Sequence, residues 1–135
     1  MKLFAIQESE LAWAWPLALP FLEKVFKRDS CRDTKEAVYE GLKSKYNTLW
    51  FICDGKDLVG ICTTTIFDYP SGRRLVIGHC AGDGMDGWLH LIDTLIDFAK
   101  THNCIGVEII GRRGWIRALA NKGAKEISAI IGFDI

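Results

Sequence analysis

The stretch that decides the fold is Cys80-Ala-Gly-Asp-Gly-Met-Asp-Gly-Trp88, a glycine-rich segment that an amphipathic helical pattern follows. It lies between two apolar runs of strand type, Arg74–Cys80 and Ile105–Ile110. A turn from a strand into a helix exposes backbone N–H groups at the positive end of the helix dipole, where an anion such as a pyrophosphate binds. The same turn carries Asp83 and Asp86, whose carboxylates repel an anion. The segment therefore predicts an anion site of weakened affinity.

The residues after this turn predict the clearest helix in the chain, from about Met85 to His102. Its apolar residues recur at helical spacing on one face, as Trp88, Leu91, Ile92, Leu95, Ile96 and Ala99. The helix separates the strand Ile105–Ile110 from the strands before the turn. We therefore expect that strand to join the sheet by a parallel crossover.

The residues before the turn predict an antiparallel meander of three strands. Thr48–Cys53 and Asp57–Phe67 are rich in β-formers and flank an Asp54-Gly55 hairpin signal. A second turn, Tyr69-Pro70-Ser71-Gly72, leads into the third strand.

Both ends of the chain complete the pattern. We expect an edge strand at Lys2–Gln7, a helical region at Glu10–Lys27 interrupted by its prolines, a helix from Asp33 or Thr34 to about Lys45, a short helix ending near Gly123, and a closing strand at Ala124–Ile131. The predicted fold class is α+β: a mostly antiparallel twisted sheet of about six strands flanked by helices. The order is β-α-α-β-β-β-α-β-α-β, in a single domain over residues 1–135.

Composition excludes several function classes. The 17 Lys and Arg balance 17 Asp and Glu, so no overall field draws the chain to nucleic acid or a membrane. The cysteines and histidines show no ligand spacing, which predicts reduced thiols and no metal site. No signal-peptide pattern opens the sequence, and the apolar window Leu11–Leu22 is too short to span a bilayer. We therefore expect a cytoplasmic protein.

The element order and the glycine turn resemble the GNAT superfamily of acetyl-CoA-dependent N-acyltransferases, most strongly from Leu49 to Gly123. Tyr69-Pro70, Trp88 with its helix, and Val107-Glu-Ile-Ile-Gly-Arg-Arg-Gly-Trp-Ile-Arg117 look like a phage-encoded branch found among virion and morphogenesis genes. The resemblance implies acetyl-CoA or CoA as the cofactor, with its pyrophosphate on the loop amides and its pantetheine arm between splayed strands. The cofactor-binding residues that it implies are Cys80, Ala81, Gly82, Gly84, Gly87, Trp88, Arg112 and Arg113.

This chain departs from the family pattern at two places. The loop lacks the leading Gln or Arg, and Arg112 and Arg113 are candidates to supply that cation, unless they form a solvated surface. Many family members carry a tyrosine about four residues before the glycine that ends the last helix, where it protonates the departing thiolate. That position holds Leu119, which has no proton to donate.

Two residues are candidate catalytic bases. Glu108, on the strand after the helix, is able to deprotonate an amine through water, or else is a strand carboxylate paired with Arg112 or Arg73. His79, on the strand before the loop, titrates near neutrality, but a histidine at a strand end is often structural. Cys80 is a nucleophile only if its thiol is exposed and its pKa is lowered.

Trp13 and Trp15 lie on an apolar N-terminal segment with Pro16 and Pro20. We expect this segment either to bind a protein partner or a second copy, or to be a helix covered by the sheet.

Three functions stay open. The first is a phage-type protein of this fold with a degenerate acyl-CoA site, associated with the virion or its assembly. The second is an active N-acyltransferase, with Gly82–Gly87 on the pyrophosphate, Glu108 or His79 as base, and water as the acid. The third is a protein that binds a CoA-type ligand without turnover. The fold does not choose among them, because function depends on the site.

Overall fold

The computed structural model describes residues 1–28, 31–83, 89–111 and 113–135. Within these ranges the strands form one five-stranded sheet in the order β1-β2-β3-β4-β5. The strands are Lys2–Ala5 (β1), Asn47–Asp54 (β2), Asp57–Tyr69 (β3), Gly72–Gly82 (β4) and Gly106–Ile109 (β5). The helices are Leu11–Phe26 (α1), Lys35–Lys43 (α2), Ile92–Thr101 (α3) and Gly114–Ala118 (α4).

The sheet pairing confirms the predicted meander and crossover. Strands β1 to β4 pair in antiparallel fashion with their neighbours in the chain, and β5 pairs with β4 in parallel. The α3 helix makes the connection between β4 and β5, as a parallel pair requires. This arrangement places Gly82, the last residue of β4, at the end of the sheet where the crossover begins.

The first helix differs from its prediction because its prolines do not interrupt it. Pro16 and Pro20 both lie inside α1, which runs from Leu11 to Phe26. An internal proline removes a backbone hydrogen bond and costs about 3 kcal/mol in an exposed helix. Packing outweighs that cost here, since Ala14, Ala18 and Leu22 are fully buried against the sheet. No helix in the described ranges is both long and apolar enough to cross a membrane.

The two faces of the sheet bury separate cores. Alternation along the strands sends successive side chains to opposite faces. The face covered by α1 and α2 buries Leu22, Val38, Leu49, Phe51 and Ile61. The face covered by α3 buries Trp50, Cys62, Leu75, Ile77 and Leu95.

The second helix begins after Thr34, one of the two starting residues that the sequence predicted. Thr34 has an extended backbone, and its Oγ1 accepts a hydrogen bond from the Ala37 N–H at 3.2 Å. Asp33 is therefore the last residue before the cap, at the end of the segment that links α1 to α2. This fixed start positions the Asp33 side chain for the contact described below.

The predicted closing strand, Ala124–Ile131, is absent, so the sheet has five strands within the described ranges rather than about six. Gly123 adopts a left-handed backbone, with φ of +85°, and residues 124–135 take no regular secondary structure. Ile127, Ile130 and Ile131 are exposed. The prediction was wrong because local β-propensity does not make a strand unless an edge strand supplies ladder hydrogen bonds.

Candidate functional site

A β-bulge in β4 sets the geometry at the end of this strand. Thr64 pairs with Ile77 and Thr63 pairs with His79, so Gly78 is the extra residue. The bulge changes the alternation: Ile77 and Cys80 both face α3, although they are three residues apart. His79 faces the opposite side, where its ring packs edge-on against Phe26 from α1.

The pairing between β4 and β5 ends at this bulge. Their pairing ends at Ile77 and Ile109, and the Ile110 N–H donates the next hydrogen bond to the Ile77 carbonyl at 3.1 Å. Beyond that point β4 continues to Gly82 with pairing to β3, while β5 ends. Within the described residues, β4 therefore has no strand partner on the β5 side beyond this point, and this unpaired stretch is termed the opening between β4 and β5.

A narrow apolar cleft lies at this opening, on the α3 side of the sheet. Its empty space is about 410 Å³ when the mouth open to solvent is included. Its lining is almost entirely apolar and includes Cys80, Ile109, Trp115 and Leu119. Leu119, at the position where the resemblance implied a tyrosine, is buried in the cleft wall. No phenol is therefore present at that position to protonate a leaving group.

Cys80 lines the cleft but is not activated as a nucleophile. Burial raises the pKa of its thiol to about 12, and the nearby Arg28 guanidinium offsets only part of that shift. The thiol is therefore protonated at neutral pH, and a thiol is a poor nucleophile. The geometry makes Cys80 a lining residue of the cleft, and its contact with a cofactor stays a prediction.

On the opposite face, His79 lies between two hydrogen-bonding partners. Its Nδ1 is 2.6 Å from Thr63 Oγ1, and its Nε2 is 2.8 Å from Asp33 Oδ2. The Thr63 residue is 2% exposed and the His79 side chain 9%, whereas the Asp33 side chain is 47% exposed. Burial lowers the pKa of His79, and the Asp33 carboxylate partly offsets this effect. The pair is therefore a neutral imidazole beside a carboxylate near pH 7.

Glu108, the other candidate base, forms an ion pair. Its Oε1 is 3.4 Å from Arg74 Nε, and both side chains are partly exposed. It lies opposite Val76, in the part of β5 that still pairs with β4. This ion pair fits the alternative in which Glu108 is a strand carboxylate paired with an arginine, although the partner is Arg74. Arg73, an expected partner, instead contacts Asp68.

The start of the predicted cofactor loop belongs to a strand. Cys80, Ala81 and Gly82 extend β4, and Gly82 pairs with Gly60 of β3. A Cβ added at Gly82 would lie 2.6 Å from the Val59 carbonyl oxygen and 2.7 Å from the Gly60 Cα. Glycine is thus required there for the close approach of two strands, whatever the strand end binds.

Several predicted site residues lie outside the described ranges, namely Gly84, Gly87, Trp88 and Arg112, together with Asp86. Arg113 is described: its side chain is 82% exposed and its Nε lies 3.3 Å from Glu126 Oε1. Arg113 therefore lies on the surface, while Trp115, two residues further on, lines the cleft.

Sequence reasoning missed three residues at this strand end, namely Thr63, Asp33 and Arg28. Thr63 is opposite His79 in the β3–β4 ladder, so an exact register would have found it. Asp33 and Arg28 are distant in sequence from β4, and no pattern in the chain links them to it. The described residues hold no group of three or more histidine, cysteine or acidic side chains placed to share a metal ion.

The tryptophans of the N-terminal segment have different surroundings. Trp13 is half exposed and packs edge-on against Phe51, whereas Trp15 is half-buried against Tyr39. Both belong to α1, which the sheet covers on one side. Partner binding or self-association through this segment stays a prediction.

Comparison with known proteins identifies the fold. No family model and no curated protein matches the sequence. Among solved structures, a probable acetyltransferase has a TM-score of 0.73 at 11% identity, over 100% of this chain and 97% of that chain. An aminoglycoside acetyltransferase from an uncultured soil metagenomic sample, in complex with sisomicin, gives 0.70 at 16%, over 99% and 95%. A predicted acetyltransferase with acetyl-CoA, from Clostridium acetobutylicum, gives 0.70 at 11%, over 98% and 95%.

These similarities confirm that the chain has the α+β fold of GNAT acetyltransferases. At such low identity the likeness concerns the fold, and the activity must be argued from the site. The phage-encoded branch, and with it a place in the virion, gains no support from these three neighbours.

Proposed function

We propose that this protein is an N-acyltransferase that takes an acyl group from acetyl-CoA and transfers it to an amine. The observation that carries the proposal is the opening between β4 and β5 beyond Ile77, with an apolar cleft beside it. A gap between two strands that bound nothing would only weaken the fold. A void that lacks packing partners costs stability.

The backbone of β4 and the apolar side chains near the opening suit the pantetheine arm of acetyl-CoA. Along the residues 79–82, β4 pairs with β3 on one side and with no described strand on the other. The backbone groups on that side are able to bind the amides of a pantetheine arm as a strand would. The apolar wall formed by Ile109, Trp115 and Leu119 excludes water from the arm. When bound, acetyl-CoA supplies an activated acyl group with a good leaving thiolate.

The charges near the opening bear on donor affinity. Arg28, just after α1, acts electrostatically on the thiol of Cys80, so a positive charge lies near the cleft. Asp83 follows β4 directly, and its N–H donates to the Val59 carbonyl at 2.9 Å. Arg28 would attract the negatively charged acetyl-CoA and Asp83 would repel it. We therefore expect a dissociation constant in the micromolar rather than the nanomolar range.

The proposal is tested by calorimetric titration of the protein with acetyl-CoA and with CoA. Gly84→Glu puts a carboxylate into the glycine loop, and Gly132→Glu is the matched control because an added Cβ there meets nothing within 4 Å. We expect micromolar binding by the parent and the control, and at least a tenfold loss in Gly84→Glu. Absence of binding by the parent protein at millimolar acetyl-CoA would end the proposal.

One observation favours a second candidate function. Because the buried Leu119 stands where a proton donor is implied, the site fits a protein that holds a CoA-type ligand without turnover. An acceptor screen with small amines and peptides separates the two functions. Acyl transfer above the uncatalysed rate supports the enzyme, whereas micromolar binding without transfer to any acceptor supports the binder. A role in virion assembly, predicted from sequence, has no observation of its own in this site.

A further inference from the structure

The hydrogen-bonded chain of Asp33, His79 and Thr63 ends beside the bulge where β4 and β5 part. A Cβ placed on Gly78 would lie 3.8 Å from Thr63 Oγ1. Gly78 is exposed, whereas Thr63 beneath it is buried. The missing side chain therefore leaves a small gap that reaches from the surface to the threonine hydroxyl.

Backbone conformation does not explain the glycine at this position. Gly78 is not among the glycines with a positive φ, which are Gly55, Gly72 and Gly123. A residue with a side chain is able to adopt its backbone angles, and its Cβ would occupy the space above Thr63 at ordinary contact distance. Gly78 directly follows Ile77, the last residue of β4 that pairs with β5, so this space lies next to the opening between the two strands.

The carboxylate fixes the direction of each hydrogen bond in the chain. An ionised Asp33 only accepts, so His79 Nε2 carries a hydrogen and donates it. A neutral imidazole has one N–H, and therefore Nδ1 is the acceptor and the Thr63 hydroxyl donates to it. The basic lone pair of His79 thus points to Thr63, and the threonine oxygen is the group nearest the gap.

We propose that Thr63 and His79 form a proton relay for the attacking amine, and that Asp33 is the residue that positions His79. The inference rests on the proposed acyl transfer and names the groups that accept its proton. Glu108 is the competing base, and it is held in an ion pair with Arg74 before the strands part.

The proton and electron changes balance. The amine nitrogen attacks the thioester carbon, forming a C–N bond, and the C–S bond breaks with its electron pair leaving on sulfur. The amine proton passes to Thr63 Oγ1 while the hydroxyl proton moves to His79 Nδ1. The resulting imidazolium is paired with the Asp33 carboxylate, which stabilises it. Water supplies a proton to the thiolate, and His79 later returns its proton to solvent.

The first test needs no substrate. In the ligand-free protein, ¹⁵N-resolved NMR of the imidazole should show the neutral Nε2–H tautomer of His79. Asp33→Asn should lower the His79 pKa further, and Thr63→Val should alter the Nδ1 shift, whereas Thr65→Val should change neither. Thr65 is the matched control because its hydroxyl bonds to Asn47. An Nδ1–H tautomer, or a His79 spectrum unaffected by Thr63→Val and Asp33→Asn, would overturn the relay.

The second test measures transfer to an amine acceptor. Thr63→Val should lower kcat at least about tenfold with the KM for acetyl-CoA unchanged, as expected on losing a proton acceptor. Thr63→Ser retains the hydroxyl and should keep most of the activity, and Thr65→Val should be fully active. Equal rates for the valine and serine variants of Thr63 would exclude the relay, and a collapse of activity in Glu108→Gln alone would assign the base to Glu108.

The outcomes distinguish the relay from the function on which it rests. If the parent protein binds acetyl-CoA and transfers its acyl group, but Thr63→Val is as active, the relay is wrong and the proposed function stands. If the parent neither binds nor transfers, the proposed function is wrong. In that case the NMR measurement of the His79 tautomer describes a hydrogen-bond chain that is structural and has no catalytic role.

Discussion

The two faces of β4 differ sharply over only four residues. On the α3 side, Cys80 and Ile77 contribute to an apolar cleft in which even the thiol stays protonated. On the α1 side, His79 takes part in a chain of polar contacts that ends at a half-exposed carboxylate. One inserted residue, Gly78, separates these two environments.

The difference shows how a bulge determines which side chains of a strand lie on the same face of the sheet. With regular alternation, Ile77 and His79 would share a face, and a histidine would enter the apolar core. The bulge moves His79 to the other face, where Thr63 and Asp33 satisfy both ring nitrogens. The apolar lining of the cleft and the hydrogen-bonded chain of His79 are thereby kept on opposite faces of β4.

The largest effect should be on the reactivity of Cys80, which tests the apolar face. Its pKa of about 12, against an ordinary value of 9.0, leaves roughly a thousandfold less thiolate at pH 8 than in an unfolded chain. We expect alkylation by iodoacetamide to slow by about that factor, measured residue by residue with mass spectrometry in buffer and in urea. A native rate within tenfold of the unfolded rate would mean that the cleft is open to water at Cys80.

The second-largest effect is expected on stability, from a substitution at Gly82, the last residue of β4. Gly82→Ala puts a Cβ within 2.7 Å of the β3 backbone, and we expect a loss of about 3 kcal/mol in the free energy of unfolding. Gly132→Ala, made in open space, should change stability by less than about 0.5 kcal/mol. Urea unfolding measures both variants. If they proved equally stable, the close approach of β3 and β4 would be refuted.

A smaller effect is expected from Asp33→Asn, which tests the polar face. Burial lowers the folded-state pKa of His79 below about 6.5, so the unfolded chain binds its proton at higher pH than the folded chain. Stability is therefore full above pH 6.5 and falls as the pH drops toward the folded pKa. Without the carboxylate the folded pKa falls further, and the acid-sensitive range extends to lower pH.

We expect Asp33→Asn to cost about 1 kcal/mol near pH 7 and more at pH 5. Urea midpoints across this range measure the effect, with the exposed Asp134→Asn as control. Among the charged groups near this strand end, Arg28 acts on the thiol of Cys80, and Asp33 is the carboxylate that contacts His79. A pH profile parallel to that of the parent would show that Asp33 does not influence His79 in solution.

The smallest effect should come from Glu126→Gln, away from both faces. The Arg113–Glu126 pair joins largely exposed side chains, and such pairs contribute less than about 0.5 kcal/mol to stability. Thermal unfolding of the variant at low and at high salt should agree with the parent within that limit. A loss above 1 kcal/mol would mean that residues 124–135 are held to α4 more firmly than one surface ion pair allows.

The sequence by itself determined the elements whose signals are local. The spacing of Leu91, Leu95 and Ala99 predicted α3, the Asp54-Gly55 pair predicted the β2–β3 hairpin, and the intervening helix predicted a parallel β5. The resemblance drawn from these elements gave the fold that the solved structures share. Each of these signals depends on neighbours within a few turns or strands of the chain.

Only the tertiary structure decided what meets at the end of β4. Asp33 and His79 are 46 residues apart, and their contact depends on how the α1–α2 link lies on the sheet. The insertion of Gly78 depends on the register between β3 and β4, and the failure of Ala124–Ile131 to form a strand depends on pairing with a distant edge. Such contacts are made between residues far apart in sequence, so periodicity and propensity carry no information about them.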